Sequence, residues 1–135
     1  MSTQTTSGYL LLFRGTDWQK GLSPEEIQKV VNQMRAWLAG LTQQGKLKAG
    51  EPLLHEGKIV SGKKGRVVAD GPFAESKEAI AGYFLLQVDT LEEAAAIARE
   101  YPGLEYGGTV EVRPVALECP LNQSGVQAEL AGASA

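Results

Sequence analysis

Cysteine and histidine are nearly absent from this sequence: 135 residues hold one of each, Cys119 and His55. A lone cysteine cannot close an internal disulfide, and one Cys with one His falls short of zinc-site spacings, which need three or four donors. A basic surplus is missing as well. Thirteen Lys and Arg stand against 16 Asp and Glu, a formal net charge of −3. No basic stripe is available to steer phosphate backbones, so direct binding of nucleic acid is not expected. No apolar run approaches the ~20 residues that span a bilayer. The opening MSTQTTSG lacks the charged start and apolar centre of a signal peptide. The glycine-rich stretches Gly62–Gly65 and Gly107-Gly108 do not follow a phosphate-loop pattern. These absences predict a reduced, cytoplasmic protein without metal, cofactor, nucleotide or membrane partner.

What is present is an ordinary globular composition, 43% hydrophobic and 21% charged, in a length that suits one domain with a proper core. A small, polar start (residues 1–8) and a small, polar end (residues 117–135) read as flexible tails around a domain at 9–116. Within it, Tyr9–Arg14 is a short apolar run between glycines, the mark of a buried strand. Ser23-Pro24-Glu25-Glu26 combines an N-cap, a first-turn proline and a capping-box glutamate. Ile27, Val30, Val31, Met34, Trp37, Leu38 and Leu41 then recur on one helical face, and Gly45 closes the helix.

Lys46–Leu54 reads as a strand interrupted by Gly50 and Pro52. A ribbon follows, Lys58–Ser61 and Arg66–Ala69 around a Gly62–Gly65 turn, then a strongly apolar strand at Gly82–Asp89. Thr90-Leu91-Glu92-Glu93 caps a second helix, whose buried stripe is expected at Leu91, Ala94, Ala95, Ala98 and Tyr101 and which Pro102-Gly103 ends. Thr109–Ala116 alternates as a final strand. The order predicts an α+β, ferredoxin-like split βαβ fold with an inserted β-hairpin before the third main strand.

The strand composition also bears on assembly. Two helices cover one face of a four-stranded sheet, and the other face should then be polar. Yet YLLLF and YFLLQV are apolar at consecutive positions. Both faces of the central strands call for burial, and a second copy of the sheet is the simplest cover, giving a homodimer. The alternative within one chain is the ribbon folding over as a lid.

YLLLFRG, the capped first helix, ADGPFAESKEAIAGYFLL and GTVEVRPV occur in this order from about Tyr9 to Val115. In these motifs, DGPF above all, the chain resembles the YCII-related family of the DGPF type. The resemblance implies a dimeric α+β barrel, two ferredoxin-like sheets enclosing a cleft. It further implies, for some members, a sigma-factor-type regulatory partner. The His–Asp pair suggested as catalytic in smaller members has no counterpart here. The first helix carries no histidine, and the stretch Arg99-Glu100-Tyr101-Pro102 carries no aspartate.

Six residues remain as candidates for a site. Asp70 of DGPF serves either as a turn-forming acceptor or as a carboxylate at the cleft mouth. His55 is either a loop residue or its acid–base partner. Arg113 and Arg14 are either cross-strand ion-pair residues or forks for a ligand carboxylate or phosphate. Phe73 anchors the turn or a ligand, and Tyr83 belongs to the core, the interface or a ligand site. Two function classes follow. One is a small-molecule-binding or regulatory module, and the other a cofactor-free isomerase, lyase or hydrolase built on Asp70, His55 and Arg113.

Overall fold

The first apolar run becomes the central strand of a sheet. In the computed structural model, which describes residues 6–15, 18–71 and 79–116, β1 (Thr6–Arg14) is hydrogen-bonded on both sides. Its antiparallel neighbours are β5 (Ile80–Leu86) and β6 (Thr109–Ala116), and β2 (Leu47–Pro52) extends the sheet beyond β5. The strand order is therefore β2-β5-β1-β6. Helix α1 (Pro24–Gln43) connects β1 to β2, and α2 (Leu91–Ala98) connects β5 to β6. This is the α+β, ferredoxin-like arrangement expected from the sequence. The ribbon is a separate two-stranded sheet of β3 (Lys58–Ser61) and β4 (Val67–Asp70), inserted between β2 and β5 as predicted.

Both ends of α1 follow from local chemistry. The Glu26 amide donates to Ser23 Oγ at 3.2 Å, and the Ser23 amide donates to Glu26 Oε1 at 3.0 Å. That capping box removes two orphan donors, and the bond from the Ser23 backbone holds the Glu26 carboxyl below its ordinary pKa. At the other end Gly45 takes a left-handed φ of 72°. The Lys46 amide then reaches the Leu41 carbonyl at 3.0 Å, and the Gly45 amide reaches Thr42 at 3.1 Å. This double closure is the Schellman geometry, for which glycine carries no side-chain penalty.

The core lies between the helices and one face of the sheet. Tyr9, Leu11 and Phe13 of β1 and Leu86 of β5 meet Leu41 of α1 and Ala94, Ile97 and Ala98 of α2. Here the stripe on the second helix differs from the expected one. Ile97 is buried, whereas Leu91 is 43% exposed. The helix spans only eight residues, so its sheet-facing set is Ala94, Ile97 and Ala98, and Leu91 in the first turn lies short of the sheet. Tyr101 falls beyond the helix, just ahead of a 3-10 turn at Pro102–Tyr106.

Strand alternation assigns the other face. Leu10 pairs with Leu85 and Arg113, and Leu12 pairs with Tyr83 and Glu111. These residues point away from both helices. Leu10, Leu12, Tyr83 and Leu85 remain half-buried there. The ribbon does not close over them, because every residue of β3 and β4 is exposed. Its base is tied by the Gly71 amide donating to the Gly57 carbonyl at 3.1 Å. Among the described residues no helix is long and apolar enough to cross a membrane.

This partition predicts a sharp contrast in stability. Leu11→Ala, at a fully buried position, should cost about 3 kcal/mol in urea unfolding. Leu54→Ala, at a residue 81% exposed, should stay within about 0.5 kcal/mol of wild type.

Candidate functional site

The apolar stripe of α1 is longer than the core it covers. Val30 and Leu41 are buried, whereas Val31, Met34 and Trp37 are half-buried and Leu38 is exposed. Val31, Met34, Trp37 and Leu38 form one wall of a cleft of about 520 Å³ between α1 and the sheet. The facing wall comes from Phe13, Phe84, Gly50 and Gly82, and Trp18, Tyr83 and Tyr101 contribute further surface. That volume is in the range of small-molecule sites, which are mostly apolar with few polar groups.

Aromatic rings shape the cleft. Phe13 lies 4.9 Å from Phe84, 4.8 Å from Tyr101 and 6.0 Å from Trp37, centroid to centroid. Trp37 stacks on Phe84 at 5.3 Å with an interplanar angle of 28°. Such pairs contribute roughly 0.5–1.5 kcal/mol each beyond their buried area. Glycines permit the approach. A Cβ on Gly50 would sit 2.7 Å from the Phe84 ring, and one on Gly103 would sit 2.5 Å from the Tyr101 ring. Burial pushes the Tyr101 phenol above its ordinary pKa, so it stays a neutral hydroxyl. Trp37 Nε1–H is buried and, among the described residues, has no hydrogen-bond partner. A buried donor without a partner costs roughly 1–3 kcal/mol.

The residues nominated from sequence fall at three places. Arg14 and Arg113 meet on the open sheet face. Arg14 Nη2 donates to Glu111 Oε1 at 2.8 Å, and Arg113 Nη1 donates to Oε2 at 3.2 Å. These donors, Arg14 first, hold the Glu111 carboxyl below the usual carboxylate range. Asp70 closes β4 and pairs with Lys58 Nζ across the ribbon, both side chains exposed. His55 is exposed in the loop before β3. No hydrogen bond or ion pair joins it to Asp70 among the described residues, although the Gly57–Gly71 bond brings their segments together. Phe73 lies outside the described residues. Tyr83 sits between Leu12 and Glu51 in register and also borders the cleft.

Sequence reasoning missed Trp18 and Arg35, both of which line the cleft. Trp18 lies outside any helix or strand, where periodicity gives no signal. Arg35 did carry one. It stands four residues after Val31 and three before Leu38, a charge at the margin of an apolar stripe.

The profile of the YCII-related domain matches residues 9–129. The chain belongs to the YCII-related family. A curated relative, an uncharacterized protein of Rhizobium meliloti (strain 1021), is 44% identical over 55 residues. That stretch is 40% of this chain and 44% of the relative, so less than half of the relative's length is matched.

The Glu111 network sets a pH dependence. Its folded-state pKa is depressed, so its contribution is full above the unfolded value and is lost as pH falls through the folded one. Urea midpoints measured from neutral pH to about pH 3 should fall less steeply for Glu111→Gln than for wild type. Identical profiles would refute the network's part in acid stability.

Proposed function

We propose that this YCII-related chain is a small-molecule-binding or regulatory module, cytoplasmic and homodimeric, whose ligand enters the cleft between α1 and the sheet. One observation carries the proposal: half of the apolar face of α1 is spent on a ring-walled space instead of on the core. Filling that space would bury Val31, Met34 and Leu38 against a ligand, recovering about 25 cal/mol for each Å² removed from water. Planar, apolar molecules suit walls made of ring faces and edges. The acid–base alternative needs Asp70 shared with His55, and Asp70 is engaged by Lys58 instead.

Both tryptophans of the chain, Trp18 and Trp37, line the cleft, so intrinsic fluorescence reports on its contents. Naphthalene-2-methanol, a neutral planar probe, should quench the emission saturably. Val31→Phe should weaken its affinity roughly tenfold by placing a ring in the space. His55→Ala and Asp70→Asn, remote from the lining, should leave it unchanged. Quenching that never saturates, or that ignores Val31→Phe, would defeat the proposal.

The dimer is supported by the other face of the sheet. Leu10, Leu12, Tyr83 and Leu85 form an apolar centre that neither helix covers. Arg14, Glu111 and Arg113 make a charged border at one side, the arrangement of an interface with an apolar core and a polar rim. Two such faces packed about 10 Å apart would cover both. Size-exclusion chromatography with light scattering at micromolar concentration should give twice the 14.4 kDa chain mass. Leu85→Glu should give the monomer, and a monomeric wild type would rule the dimer out.

A further inference from the structure

We infer that the cleft selects planar aromatic carboxylates, with Arg35 as the residue that reads the charge; this rests on the cleft being the binding site. Two charged residues occur among its described lining, Arg35 and Glu51. Gly50 faces the Phe84 ring on the helix side of β2, and Glu51 is its neighbour in the strand. Alternation therefore sends Glu51 to the open face, where its register partner is Tyr83 and the next strand offers Leu12. Arg35 is the charged residue that α1 itself contributes to the lining, at the exposed margin of its apolar stripe. It lies on α1 between Val31 and Leu38, both of which line the cleft.

The positions one helical turn away from Arg35 hold no carboxylate: Val31 and Asn32 precede it, and Leu38 and Ala39 follow it. Among the described residues no acidic side chain pairs with Arg35, in contrast to Arg14 and Arg113, which share Glu111. An exposed arginine bordering an apolar space matches a ligand with the same division. Its flat body would rest among Phe13, Trp37 and Phe84, and its carboxylate would reach the fork at the solvent edge. The fork accepts a carboxylate through two parallel N–H bonds, a geometry that lysine cannot reproduce.

The test compares 2-naphthoate with naphthalene-2-methanol, which share the ring and differ in charge, by tryptophan quenching of the full chain. Wild type should bind the naphthoate roughly tenfold more tightly. Arg35→Gln should abolish that preference without changing the affinity for the alcohol, and Arg35→Lys should restore only part of it. Added salt should weaken the naphthoate and spare the alcohol. Arg35 is exposed, and an unchanged melting temperature in Arg35→Gln would show that loss of preference is not loss of fold. Equal affinities for the two probes in wild type, or a preference that survives Arg35→Gln, would overturn the inference while leaving the cleft a binding site. Failure of both probes to bind would remove the binding proposal itself, and the inference with it.

Discussion

Phe13 occupies a position where the layers of the fold meet. It lies on β1, hydrogen-bonded to a strand on either side, so its backbone has no freedom to slide. Its ring touches Trp37 from α1, Phe84 from β5 and Tyr101 from the segment that follows α2. A single side chain thus couples the first helix, the sheet and the turn leading into β6. Large rigid rings also have a geometric consequence. They meet edge to face or stacked at separations near 5 Å, and they cannot flow into gaps as a methionine can. The cleft between α1 and the sheet is the space that such a set of rings leaves when its backbone supports are fixed.

How much of this was legible beforehand depended on whether a residue's role was settled locally. Ser23, Glu26 and Gly45 act within a few residues of themselves, and both ends of α1 follow from them. The alternation of Thr109–Ala116 likewise gave β6 its limits. Roles set by distant partners were harder to see. The stripe from Ile27 to Leu41 is apolar by spacing, but spacing does not tell a core from a wall facing open space. Only the seat of α1 over Phe84 and Gly50 decides that. Leu91 and Ile97 exchanged places for a similar reason: the length of α2 determines which turn reaches the sheet. Arg14 and Arg113 stood out as candidates, yet their shared carboxylate, Glu111, needed the register of β1 against β6.

The two faces of the sheet make different demands on the same strands. On the helix side, glycines at 50 and 82 clear room so that rings and backbone can approach. On the open side, Leu10, Leu12, Tyr83 and Leu85 keep an apolar centre, and charge is confined to the Arg14–Glu111–Arg113 row. This explains why the central strands are apolar without alternation. One face packs against the helices and the cleft, and the other is the face proposed for the dimer. The first helix carries no histidine, and its Trp37 and Arg35 line the cleft.

The ribbon carries a different kind of consequence. Among the described residues β3 and β4 pair only with each other, so the outer edge of each has no neighbouring strand. Their exposed residues include Ile59, Val60, Val67 and Val68, side chains that favour extended structure. A hairpin of that composition would readily recruit strands from neighbouring molecules. Lys58, Lys63, Lys64 and Arg66 flank these pairs, and their mutual repulsion works against edge-to-edge stacking. Restraint on association at these edges therefore falls to charges on the ribbon itself, where Lys63, Lys64 and Arg66 stand beside the Lys58–Asp70 pair. Neutralising those charges would remove the repulsion that keeps such edges apart.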